Sequence, residues 1–150
     1  MKNIKNYTST TPAQNSILKI EKTLVGLGAN RIVKDYNKDS GTIEAIIFEI
    51  EIKGVPVVFR LPAKVDVCFK VFWKEVKRPR PDTKKNKTDQ AERTAWKIIL
   101  DWVEAQAALI QLEQAEFSEV FLPYAYNPIQ GKTLFQIAKE KGVNQLLLTE

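Results

Sequence analysis

From Ile46 onward the chain places an apolar side chain at every second position: Ile46, Phe48, Ile50 and Ile52, then Val55, Val57, Phe59 and Leu61 beyond Lys53-Gly54. A period of two puts each set on one face of an extended strand, and a two-residue link leaves room only for a hairpin. Glu44, Glu49 and Glu51 interrupt the first run and give it a polar side. The preceding segment, Arg31 to Tyr36, is β-prone and ends in the turn-forming cluster Asn37-Lys38-Asp39-Ser40-Gly41, which predicts a third antiparallel strand. A meander this apolar aggregates unless its inner face is covered, so the rest of the chain must supply lids.

The lids are legible as helical periods. Thr11 as N-cap and Pro12 at the first helical position open a run in which Ile17, Ile20, Leu24 and Leu27 recur at spacings of three and four before Gly28, with Lys19 and Lys22 facing water. After Leu61-Pro62, Val65, Phe69, Phe72 and Val76 form a second apolar stripe with Cys68 beside it, stopped by Pro79 and Pro81. The longest helix is expected over residues 89–115. Its main stripe is read as Ala91, Ala95, Ile98, Trp102, Ala105, Leu109 and Leu112, with Trp96, Ile99, Val103 and Ile110 beside it, which makes the helix a central spine with Trp102 buried. The tail adds an extended Phe-Leu-Pro-Tyr-Ala-Tyr-Asn-Pro piece, a turn at Gly131 and a short helix around Leu134 to Lys141. The expectation is one α+β domain over 1–150: a three-stranded antiparallel meander with helices packed on one face and a long central helix. Residues 1–11 are read as an extended arm and 74–87 as a basic loop.

Histidine is absent and Cys68 is the sole cysteine, so the sequence excludes disulfide frameworks, His-containing zinc clusters and every histidine-dependent triad. No apolar stretch approaches the roughly 18 residues of a membrane span, and the first residues carry no apolar signal core, which predicts a soluble cytoplasmic protein without a membrane partner. No Gly-rich phosphate loop or nucleophile elbow is present. No cofactor, metal or catalytic residue is assigned, and an enzyme is the less favoured reading.

The formal net charge of +5 is concentrated: residues 74–87 carry 7 basic and 2 acidic groups, whereas residues 88–150 carry 5 basic and 9 acidic. A cluster of this density suits a polyanion, because each neutralised phosphate releases counterions and arginine adds bidentate hydrogen bonds. The candidate nucleic-acid-binding residues are Lys74, Lys77, Arg78, Arg80, Lys84, Lys85 and Lys87, with Arg93 beyond them and Trp73 and Trp96 at the borders as stacking surfaces for unpaired bases. Three weaker constellations stand beside it. The acidic set Asp101, Glu104, Glu113, Glu116 and Glu119 includes an i, i+3 pair of the kind that holds Mg²⁺, though an exposed helix face with a Lys97–Asp101 pair is the ordinary outcome. Glu51-Ile52-Lys53 matches part of a nuclease motif. Cys68, lying between apolar neighbours with no activating base, reads as an inert buried thiol.

The stretches KNYTSTTP, FRLPAKVD, QAERTAWKIILDWVEAQAALI, EVFLPY and GKTLF together resemble a family of small, largely uncharacterised proteins encoded by phages and prophages. The resemblance implies a setting among replication and recombination genes in a bacterial cytoplasm. The α-β-β-β-α order is similar to a double-stranded RNA-binding domain, and the sheet followed by a helix looks like the core of ring-forming single-strand annealing proteins. The resulting expectation is a phage-type nucleic-acid-binding protein, a DNA recombination or replication accessory or a single-strand binding and annealing protein, as a homo-oligomer. The alternatives are an anti-CRISPR-like interaction protein that inhibits a host defence nuclease, and a metal-dependent nuclease.

Overall fold

The computed structural model describes residues 3–143 and 145. The elements run α1 (Ala13–Gly26), β1 (Arg31–Tyr36), β2 (Ile43–Ile52), β3 (Val55–Pro62), α2 (Val65–Trp73), α3 (Thr83–Gln111) and α4 (Phe117–Phe121), then a 3-10 turn (Leu122–Tyr124), β4 (Tyr126–Asn127), β5 (Lys132–Thr133) and α5 (Leu134–Lys141). The expected α+β architecture is present. β2 is the middle strand of an antiparallel β1-β2-β3 sheet, and its register pairs Ile46 with Leu61, Phe48 with Phe59 and Ile50 with Val57. The pairing is set by the turn. Lys53 and Gly54 both adopt positive φ, 50° and 80°, the conformation that a two-residue turn needs to match strand twist.

One face of the sheet is closed by helices. Ile17, Ile20 and Leu24 of α1, at helical spacing, pack with Ile46, Phe48, Ile50, Phe59 and Leu61 in one buried cluster that also takes in Trp96, Leu100 and Val103 of α3. Phe117 and Phe121, one turn apart on α4, stack on each other at 4.5 Å and meet Phe48 and Phe59 edge to face. Such edge-to-face aromatic pairs add to simple area burial. At the open edge of the sheet, Lys34 of β1 pairs with Glu21 of α1 at 2.9 Å. Two capping boxes start the tail helices: Glu116 with Glu119 at α4, and Thr133 with Gln136 at α5.

Four features differ from what the sequence predicts. α3 begins at Thr83, so Lys84, Lys85 and Lys87 stand on helix and only residues 74–82 form the connection. Its buried residues are Ala91, Thr94, Trp96, Leu100, Val103 and Ala107, while Leu109 and Leu112 are exposed and Trp102 is only half-buried. The buried face thus takes Trp96 and Val103 from the second expected stripe and only Ala91 from the main one, and adds Thr94, Leu100 and Ala107, which neither stripe contained. The third difference is the arm. Residues 3–8 form a run of turns laid against α3: Gln90 Nε2 donates to the Tyr7 carbonyl, Thr94 Oγ1 to the Asn6 carbonyl (3.2 Å) and Arg93 Nε to the Ser9 carbonyl (3.2 Å). The backbone of this segment is polar and has no sheet partner, so helix side chains satisfy it. The fourth is the tail, where the first half of the expected extended piece is helical: Phe121 ends α4, a five-residue helix too short to leave a period in the sequence, and Leu122–Tyr124 form the 3-10 turn, with Pro123 compatible with its start.

Candidate nucleic-acid interface

The connection between α2 and α3 is built by prolines and local hydrogen bonds. α2 ends at Trp73, its last turn closed by Val76 N–H donating to the Trp73 carbonyl at 3.1 Å. Pro79 and Pro81 then forbid helix, and Arg80 and Thr83 grip each other: Arg80 N–H donates to Thr83 Oγ1 at 2.9 Å, and Thr83 N–H to the Arg80 carbonyl at 3.0 Å. On this short scaffold Lys74, Lys77, Arg78, Arg80, Lys84 and Lys85 are all exposed. Among the described residues none of these six side chains has an ion-pair partner. Lys84 and Lys85 also lie in the first turn of a helix that has no acidic residue there, so their charges add to the positive end of the helix dipole. The cost to the isolated chain is partly offset by Asp82 at the N-cap position, which makes no side-chain cap hydrogen bond, and the backbone N–H groups of Lys84 and Lys85 stand beside the ammonium groups as donors for an anion.

The other four candidates are engaged elsewhere. Trp96 is fully buried and its indole Nε1 donates to the Ile43 carbonyl at 3.3 Å, so it joins α3 to β2 and cannot stack on a base. Trp73 is half-buried and stacks on Phe69 at 5.6 Å, which leaves it at most one free face. Arg93 holds the N-terminal segment, its Nη2 also donating to Gln90 Oε1 at 2.6 Å. Lys87 donates to Tyr7 Oη at 3.3 Å and lies 5.7 Å from the Tyr7 ring centre. Tyr7 and Gln90, which sequence periodicity did not single out, thus line an open notch of about 450 Å³ with Asn86, Lys87 and Arg93. No local signal marks them, because their meeting joins chain segments more than eighty residues apart.

The rival constellations find no comparable setting. Among the described residues no three Cys, Asp or Glu side chains converge where they could hold a metal ion. Asp101 is consumed in structure: Asn6 Nδ2 donates to it at 2.8 Å, and Lys97 and Lys5 pair with it at 3.0 and 3.3 Å. Burial opposes its ionisation, but these hydrogen bonds outweigh that and hold its carboxyl down to about 2. Glu51 is exposed near the end of β2 and Lys53 is a turn residue, while Asp35 pairs with Ala45, six residues and roughly 20 Å along the strand from Glu51. Burial pushes the Cys68 thiol above its ordinary value, so it stays protonated and unreactive near neutral pH. No helix among the described residues is long and apolar enough to cross a membrane. No protein-family model matches the chain, and no significant match is found to a curated protein or to a solved structure.

Proposed function

We propose that the protein binds nucleic acid through the phosphate backbone, as a non-enzymatic accessory of the phage replication and recombination type. The observation that carries this reading is the set of six exposed cations between Lys74 and Lys85, none of them in an ion pair among the described residues, with only Glu75 and Asp82 as acids in the same stretch. Lysines that serve only solubility are ordinarily interspersed with acids, as Lys97 is with Asp101. The burial of Trp96 removes the best stacking surface, so the favoured mode is binding to phosphates, and a strong preference for unpaired bases is not expected. The basic segment stands apart in sequence from an acidic C-terminal portion, and this division favours approach of a polyanion to the basic segment.

The test is a fluorescence-anisotropy titration of labelled single- and double-stranded DNA at two salt concentrations. Replacement of Lys77, Arg78, Arg80, Lys84 and Lys85 by glutamine leaves the melting temperature unchanged or slightly raised, lowers affinity and flattens the slope of log K against log salt by about one unit for each phosphate no longer neutralised. Failure of the unaltered protein to bind either DNA or RNA at low salt rejects the reading.

A further inference from the structure

The two edges of the main sheet differ. β3 is bridged on its outer side to Ala125 through Phe59, whereas among the described residues no backbone hydrogen bond leaves the outer side of β1. An open edge is a row of unpaired N–H and C=O groups onto which another strand can add. Ile32 stands opposite the buried Phe48 on the face that the helices cover, so Arg31, Val33 and Asp35 lie on the other face. Val33, between the two charges, is 56% exposed. The strand is regular only from Arg31 to Asp35, because its register shifts before Tyr36.

This regular stretch complements itself. A two-fold axis through Val33, perpendicular to the sheet, sets the strand antiparallel to its own copy and pairs the whole stretch: Arg31 faces Asp35 of the second copy, Asp35 faces its Arg31, and Val33 faces its Val33. Within one chain Arg31 pairs with Glu49 and Asp35 with Arg60, both at 3.6 Å, and these long contacts leave donors and acceptors for the new pairs. Lys34, which the same axis brings near its copy, is already neutralised by Glu21 at 2.9 Å. Glu21 also marks the flank of α1 that lies toward this edge. Leu18 and Val25, three residues before it and four after, share that flank and are 50% and 57% exposed. The axis that joins the strands turns the two flanks toward each other. We propose that β1 pairs antiparallel with β1 of a second copy, centred on Val33, which joins the two three-stranded sheets into one and faces the apolar flanks of α1 across the seam.

Sedimentation equilibrium of the full chain, without nucleic acid, tests this, and a dimer that dissociates on dilution is expected. Arg31→Asp and Asp35→Arg each set like charges against each other twice across the axis, and each weakens self-association about tenfold or more. An equimolar mixture of the two variants restores it, because every reversed charge then meets its opposite on the other variant. Leu18→Glu, on the exposed flank of α1, weakens the dimer without altering a sheet charge, and it decides the matter should circular dichroism show that a sheet reversal disturbs folding. A monomer at every concentration overturns the proposal and leaves the edge to a strand of another protein. A dimer indifferent to these variants also overturns it, as does a mixture of folded variants that stays monomeric.

Discussion

At the scale of single residues, Asp101 shows how one carboxylate ties distant segments together. It accepts from Asn6 and pairs with Lys5 of the N-terminal segment while also pairing with Lys97 one helical turn away. Its folded-state value, about 2, lies below the ordinary aspartate value of about 3.9. These interactions therefore contribute stability in full above that ordinary value, and the contribution disappears as pH falls through the folded value. Thermal melts followed by circular dichroism are expected to show falling stability between about pH 4 and pH 2, and Asp101→Asn flattens that part of the profile. At neutral pH the same variant costs about 1 kcal/mol, since one acceptor is replaced and two partly exposed ion pairs are removed.

At the scale of elements, the start of α3 is in tension between stability and binding. A helix whose first turn carries lysines and no acid is less stable than one whose first turn is acidic. Lys84→Glu with Lys85→Glu is therefore expected to stabilise the fold by about 0.3–1 kcal/mol, read as a small rise in melting temperature, while DNA affinity falls. A fall in both would show that the lysines serve the helix. The same element explains why the basic segment was only partly legible. Pro79 and Pro81 mark a break, but the polar run Thr83 to Thr88 carries no apolar period, so nothing local announces that it is helical. It is helix because residues 87–94 grip the N-terminal segment on one side, through Lys87, Gln90, Arg93 and Thr94. Tertiary packing rather than intrinsic propensity extends the helix toward its start.

At the scale of the whole molecule, Trp96 is the residue that most directly joins the layers. It is fully buried, belongs to the cluster shared by α1, the sheet and α4, and bonds to the backbone of β2. Trp96→Ala is expected to cost about 3–5 kcal/mol, a large share of the stability of an ordinary domain, measured by urea unfolding. Its fluorescence is expected to stay unquenched by single-stranded DNA, in keeping with a core position. The meander, the inner faces of β2 and β3, the amphipathic α1 and the density of positive charge after α2 are all legible in the residues alone, because period, turn chemistry and composition are local properties. Which face of α3 is buried is not legible there, since several rows of side chains satisfy the helical period and the face taken, with Thr94, Leu100 and Ala107 outside both expected stripes, depends on what packs against it. Packing between layers likewise turned the expected arm into a segment clamped on α3 and moved Trp96 from a candidate stacking surface into the core. It also left Trp102 half-exposed in a groove between β3 and α5. Each of these outcomes depends on pairings between residues distant along the chain, and the free energy of such pairings exists only once the layers have met.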